Sequence, residues 1–303
     1  SVGREHDRGG LQEGLDRLFP PVEGAGDAGR RDQAEAAARV VRRALCVITG
    51  GPGTGKTTTV VRVLALLVEQ ALAAGADPPR ILLLAPTGKA AARLEEAVAG
   101  ARDRLDTAPE VLAAIPADGR TIHRALRPRH DGTWRHDAAH PLSADVVVLD
   151  EASMVDVALM RALVEAVRPD ARLVVLGDRN QLASVDAGAV LADLCGPLEG
   201  GPADVPIAAC IATLRHSFRF GPHTGIGALA RAVLAGDAER ALALLDDPAV
   251  PDVSLHRDRP TDRFGRLRPD LAERVAAGYG AYLDALGDAS GGPAAGSPNG
   301  GPG

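Results

Sequence analysis

Aromatic residues are scarce: Phe, Trp and Tyr together make 2% of the 303 residues. A chain so poor in π-faces has few of the stacking platforms on which many single-strand binders hold bases. The three cysteines, Cys46, Cys195 and Cys210, stand apart with no CxxC pair. Neither a zinc site nor a disulfide framework is expected, and the thiols read as buried in a reducing compartment. No apolar run approaches the ~20 residues of a membrane span, and no signal peptide is visible, so the expected compartment is the cytoplasm. The net charge of -6 excludes a generally basic surface, and any nucleic-acid contact has to be local. Lysine is nearly absent: among 34 Lys and Arg residues, only Lys56 and Lys89 are lysine. What remains is ordinary for a globular protein, at 46% hydrophobic and 24% charged, with length for one large domain or two smaller ones.

Short apolar runs without polar alternation recur, each ahead of a helical pattern. Residues 45–49 (LCVIT) precede a glycine loop and TTTVVRVLALLVEQAL; 81–85 (ILLLA) precede a helix over 88–99. Residues 145–149 (DVVVL) precede 157–167, and 172–176 (RLVVL) precede another turn and helix. Strands apolar on both faces, alternating with helices, indicate an α/β fold with a doubly wound parallel sheet. A helix is also expected over 33–43 (QAEAAARVVRR), while 1–30, Gly-rich and polar with one amphipathic piece (LQEGLDRLF), reads as a connecting segment. From about Ile226 the pattern turns helical and arginine-rich. Residues 289–303 (ASGGPAAGSPNGGPG) cannot form a packed core and read either as a flexible terminus or as an interdomain linker.

Residues 50–57, GGPGTGKT, satisfy G-x4-G-K-[ST] between a strand and a helix. Gly50, Gly51, Pro52, Gly53, Thr54 and Gly55 form a loop whose backbone N–H groups converge on phosphate oxygens, and the helix beginning there, with Thr58 in its first turn, turns its positive end to the same anion. Lys56 suits the β- and γ-phosphates and the Thr57 hydroxyl suits Mg²⁺. A second element, VVVLDE at 146–151, places Asp150 and Glu151 at the C-terminal end of an apolar strand, where open α/β sheets bind ligands. Asp150 is the expected magnesium partner and Glu151 the residue that polarises the attacking water; the plainer role for such a pair is to cap the next helix. Together these motifs point to ATP or GTP hydrolysis with Mg²⁺.

Further motifs follow in order: APTGKAAARL (85–94), TIHRAL (121–126), DEASMVD (150–156), LGDRNQLASVDAG (176–188) and LRHSFRF (214–220). This set resembles the superfamily-1 DNA helicases, and within them the RecD type, the alpha subunits of exodeoxyribonuclease V. The resemblance runs over roughly residues 11–247, with DRLFP (16–20) and GIGALARAV (225–233) also family-like. It implies a RecA-like P-loop motor that uses ATP and Mg²⁺ to move 5′ to 3′ on single-stranded DNA in double-strand break repair and recombination, with the beta and gamma subunits as partners. Gln33 falls where the family reads adenine, although the residues alone describe a solvated helix position. Asp178 and Gln181 fall where the γ-phosphate is coupled to the bound strand; without the family they are a polar turn. Arg219 matches the arginine that reaches the γ-phosphate from the second motor domain, a job suited to a permanently charged, forked donor.

The surviving lysine of APTGKAAARL is the DNA-side candidate. Lys89, with Pro86, Thr87 and Gly88, opens a helix whose N–H groups suit a phosphate of a DNA backbone; chance survival of a surface lysine is the alternative. Thr121 and His123 of TIHRAL join this set, His123 reading as a hydrogen-bonded, half-buried side chain rather than a catalytic base. The basic stretch 120–136, which includes Trp134, is either a DNA contact or a solvated arginine-rich loop. Two positions depart from the family's GDxDQLPSV pattern, Asn180 and Ala183, and altered loop stiffness is the expected result. Motifs resembling TxHKxQG and TRA are absent, as is an amino-terminal docking domain, so the expectation is a fragment that hydrolyses ATP weakly. Its expected division is a connecting segment (1–30), a first RecA-like domain (31–213), the start of a second (214–288) and a linker or tail (289–303). A non-motor ATP-dependent binding module, and a stand-alone RecD-like or relaxase-type helicase, are the alternatives.

Overall fold

The computed structural model describes residues 8–22, 26–181, 189–196, 207–221, 224–255, 261, 266 and 268–290. Six strands form one sheet: β1 (Leu45–Gly50), β2 (Ile81–Ala85), β3 (Gly119–Thr121), β4 (Val146–Leu149), β5 (Arg172–Gly177) and β6 (Ile211–Leu214). Their order is β3-β2-β4-β5-β1-β6, and every pairing is parallel. The register brings the strand ends to one edge: Gly50 lies opposite Leu214, Thr49 opposite Gly177, Leu84 opposite Leu149 and Ala85 opposite Thr121.

Eleven helices accompany the strands among the described residues: α1 (Arg8–Leu18), α2 (Gly26–Arg42), α3 (Lys56–Ala73), α4 (Gly88–Arg102), α5 (Pro109–Ala114), α6 (Ile122–Leu126), α7 (Val157–Ala166), α8 (Val190–Cys195), α9 (Gly225–Ala235), α10 (Ala238–Asp246) and α11 (Pro269–Ser290). Alternate strand residues serve two cores. Cys46, Ile48, Val146, Val148, Val174 and Leu176 pack with α1 to α5 on one face. Val47, Val147, Leu149, Leu173 and Val175 pack with α6, α7 and α8 on the other. Both faces are therefore dry, which is why the strands read as unbroken apolar runs. Each such side chain contributes about 1.5–3 kcal/mol by leaving water.

Two features differ from expectation. Residues 8–18 do more than connect: Leu11, Leu15, Leu18 and Phe19 are buried against the α3 side of the core, and Arg17 holds Glu69 of α3 at 2.6 Å. The helix expected at 33 begins at Gly26, and Gly29 in its added turns is buried against His216. The C-terminal end of α2 is closed by the buried Arg172, which donates to the carbonyls of Val40 and Arg43, a favourable place for a cation. By packing, residues 1–244 form one compact unit and 245–303 another. Residue 214, where a second motor domain is expected to begin, lies inside the first unit. Among the described residues no helix is long and apolar enough to cross a membrane.

Candidate functional site

All six strands release their chains at the same edge of the sheet, so motifs scattered over 170 residues of sequence become neighbours there. After β1 the loop 51–55 turns through Gly53 (φ 75°) and Gly55 (φ 82°), left-handed positions that suit glycine. Space demands glycine as well. A Cβ on Gly53 would overlap the Cβ of Arg219, and one on Gly55 would lie 2.5 Å from Nε2 of Gln33. Lys56 Nζ donates to the carbonyls of Gly50 at 2.6 Å and Gly51 at 3.2 Å, while Thr54 Oγ1 donates to Gly51 O at 2.9 Å. The ammonium is thus held over the loop. The first N–H groups of α3, at Lys56, Thr57 and Thr58, have no carbonyl within the helix to meet and are available to an anion. Thr58 is exposed, and Pro52 forms the exposed tip of the loop.

After β4 come Asp150 and Glu151. Burial pushes the Asp150 carboxyl above the usual carboxylate range; the Glu151 N–H, donating to Oδ1 at 2.8 Å, opposes this, the Glu151 charge adds to it, and Lys56 opposes it. Glu151 itself is held at φ 52°, a left-handed conformation that costs a non-glycine residue ~1–2 kcal/mol. These acids do not cap the next helix. Asp156 does, accepting from Leu159 N at 2.9 Å, so the helix-capping role open to the acid pair is excluded. The Asp150 carboxylate at the end of β4 and the Thr57 hydroxyl in the first turn of α3 are hard oxygen donors of the kind that fit Mg²⁺. No cluster of three metal-binding side chains occurs among the described residues. Mg²⁺ sites of this kind do not need one, because phosphate and water complete them.

The loop after β5 closes on the same region. Asp178 is buried and accepts from Asn180 N at 3.0 Å; its Oδ2 lies 4.0 Å from where a Gly51 Cβ would stand. Arg179 N donates to Thr49 Oγ1 at 3.3 Å, and Ser153 Oγ donates to Gln181 Oε1 at 3.5 Å. Gln181 is exposed, and Ala183, the second departure from the family pattern, lies outside the described residues. Ser153 is a residue the sequence reading missed, although it sits in the DEASMVD motif.

Gln33 corrects the reading as a solvated helix position. It is 2% exposed, its Nε2 donates to Thr54 O at 3.0 Å, and its Oε1 accepts from Arg30 at 3.1 Å. The helix face that carries it is turned inward by the packing of α2 on α3, which local periodicity did not reveal. Beside it, Asp32 accepts from Arg215 N at 3.0 Å. The segment after β6 is tied to the loop directly: Ser217 Oγ donates to Pro52 O at 3.0 Å, and Phe218 N donates to Gly53 O at 2.8 Å. Phe218 is 46% exposed, meets the His216 ring edge-on at 4.7 Å and has the Arg30 guanidinium 5.9 Å from its centre. Arg219 is exposed. Asp32, Ser217 and Phe218 carried no signal of their own in the sequence beyond lying next to family-like positions.

The exits of β2 and β3 form a separate group. Thr87 caps α4, accepting from Ala90 N at 3.2 Å, and Thr121 caps α6, accepting from Arg124 N at 3.1 Å. Pro86 is half-buried, whereas Gly88, Lys89 and His123 are exposed. His123 therefore corrects the half-buried expectation; its ring meets Trp134 edge-on at 5.5 Å. Trp134 stands in a short hairpin, bridged to Pro128 and turned at Gly132. A cleft of about 930 Å³ lies elsewhere, at the N-terminal edge of the sheet beside Arg80, Asp145 and Arg168. Hydrogen bonds from Arg80, ahead of those from Arg168, hold the Asp145 carboxyl down to about 2 against the effect of burial. None of the candidate site residues lines that cleft; of VVVLDE only Val146, at the start of its strand, does.

A family profile described as an AAA domain matches residues 33–187. The chain is 50% identical over 239 residues to the RecBCD enzyme subunit RecD of Mycolicibacterium smegmatis, covering 78% of this chain and 40% of that protein. It is 36% identical over 261 residues to the RecBCD enzyme subunit RecD of Haemophilus influenzae, again with 78% and 40% covered. An ATP-dependent RecD2 DNA helicase of Deinococcus radiodurans is 36% identical over 180 residues, 56% of this chain and 22% of that one. The chain spans about two-fifths of the length of the RecD subunits it matches.

Proposed function

This chain belongs to the AAA-domain family, and from that premise we propose that it is the ATP-binding motor region of a DNA helicase subunit of the RecD kind. The observation that carries the proposal is the common edge of the sheet, where the phosphate loop, the acid pair and the β5 and β6 exits all emerge, with the β6 exit bonded directly to the loop. In this reading the N–H groups of Gly53, Gly55, Lys56, Thr57 and Thr58, with the Lys56 ammonium, hold the β- and γ-phosphates of ATP. Thr57 and Asp150 hold Mg²⁺, which when bound neutralises charge on those phosphates. Glu151 orients the attacking water, and Asp178 and Gln181 report the γ-phosphate to the neighbouring strand exits. Arg219 meets the γ-phosphate as a permanently charged donor. Gln33 and Phe218 lie on the side of the loop where the adenine belongs.

The β2 and β3 exits are the proposed DNA side. Adjacent helix starts at Gly88 and Ile122, with Lys89, Thr87, Pro86, Thr121 and His123, offer N–H groups, hydroxyls and one ammonium to the backbone of single-stranded DNA. Translocation from 5′ to 3′, a first RecA-like domain followed by part of a second, and association with beta and gamma subunits of an exodeoxyribonuclease V belong to the same proposal. The test is binding of fluorescent ATP with Mg²⁺ to this chain, alone and with a single-stranded oligonucleotide. Saturable binding that Lys56→Ala abolishes is expected. Binding that ignores that substitution would sink the reading.

A further inference from the structure

We propose that Ser217 is a positioning residue for Arg219, working against the exposed tip of the phosphate loop; the inference rests on the ATP-site reading above. The Ser217 hydroxyl makes two bonds at once. It donates to Pro52 O at 3.0 Å and accepts from Phe220 N at 3.3 Å. The residue between, Phe218, donates its N–H to Gly53 O at 2.8 Å. The backbone on both sides of Arg219 is therefore tied, directly or through Ser217, to the loop that would carry the phosphates. Gly53 completes the contact, because a side chain there would occupy the place of the Arg219 Cβ.

The consequence is geometric. Arg219 is exposed, and a long guanidinium side chain loses much rotamer freedom when it settles on a phosphate. With its backbone fixed to the loop, only the side-chain torsions remain to be searched, and the arginine moves with the phosphates rather than with another part of the chain. At the far end of the same segment, Asp32 accepts from Arg215 N at 3.0 Å, anchoring it to α2. The segment therefore stays docked when the Ser217 hydroxyl is removed, but its register against Pro52 loosens. Recognition of the third phosphate becomes a property of residues within the first compact unit.

The experiment compares Mg²⁺-dependent binding of methylanthraniloyl-labelled ATP and ADP to the full 303-residue chain. Wild type is measured beside Lys56→Ala, Arg219→Ala, Ser217→Ala and Ser217→Thr, with a thermal melt for each. Wild type should prefer ATP, and Arg219→Ala should remove the preference. Ser217→Ala should reduce it by roughly 3–10-fold, the worth of one net hydrogen bond, while ADP affinity stays put. Ser217→Thr, which keeps the hydroxyl, should restore most of it. Equal weakening of ATP and ADP in Ser217→Ala would make the serine merely structural and overturn the proposal. An unchanged ratio in Ser217→Ala would overturn it too, as would a wild type without preference. Those failures leave Lys56→Ala still unable to bind, so the ATP-site reading survives them; normal binding by Lys56→Ala is the separate result that removes that reading.

Discussion

The two halves of the functional edge are built differently. Around the phosphate loop the polar side chains are committed to bonds between distant segments: Gln33, Lys56 and Ser217 to carbonyls of the β1 exit and its loop, and Ser153 to the Gln181 side chain. Around β2 and β3 the threonines serve their own helices as caps, and Lys89 and His123 stand exposed. A compact triphosphate with developing charge rewards donors fixed in advance, since they need no reorganisation at the moment of reaction. A flexible polyanion is held by charge and helix ends, where tolerance of position costs little. Rigidity at the first half and openness at the second match these two demands.

Substitutions should separate the halves. The largest effect is expected from Lys56→Ala, which should abolish measurable nucleotide binding, a loss of roughly 10²–10³-fold or more for a preorganised charged donor, while leaving oligonucleotide binding in the absence of nucleotide near wild type. Fluorescence titration with each ligand checks it. Asp150→Asn should lower Mg²⁺-dependent hydrolysis by ~100-fold or more, given several kcal/mol of charge stabilisation, yet raise the melting temperature at neutral pH. The sign follows from the raised carboxyl. In the unfolded chain the group loses its proton near 3.9, and in the fold only at higher pH. Stability therefore falls as pH rises through that interval, and the penalty persists above it. The advantage of Asp150→Asn should shrink as pH is lowered towards 3.9, which melts across a pH series would show.

On the open half, Lys89→Ala should leave ATP affinity unchanged and reduce the slope of log K against log salt for single-stranded DNA by about 0.7, the signature of one lost phosphate contact. Lys89→Arg should keep nucleotide affinity but weaken DNA-stimulated turnover in a full-length motor. An unaltered slope in Lys89→Ala would remove the lysine from the DNA surface. The smallest effect belongs to Thr87→Ala, which should destabilise the chain by about 1 kcal/mol through loss of the α4 cap, with nucleotide binding intact. Denaturant unfolding measures it.

Much of this edge is legible in the sequence. ILLLA and RLVVL announced buried strands, and each of the strongest motifs stands directly behind such a run, where a parallel sheet exposes it. The strands GRT and IATL were not legible, because GRT has no apolar run and Thr213 interrupts IATL, so they become strands only by pairing, β3 with β2 and β6 with β1. The amphipathic LQEGLDRLF was visible as a piece, but its docking on α3 was not. Gln33 looked solvated because the residues around it are small or charged, and nothing local says which face α3 will cover.

The amino-acid order by itself determined the chemistry: a glycine loop with lysine and threonine, two acids behind a valine run, a threonine before each of two helix starts. Those are local facts, set by residue type and by a backbone whose turns and caps span a few positions. Only the tertiary structure decided the partners. Ser217 meets Pro52 across 165 residues and Gln33 meets Thr54 across 21. Contacts at such separations leave no periodic trace in the chain. They exist because a twisted parallel sheet, buried on both faces, has one edge where all its strands must let go.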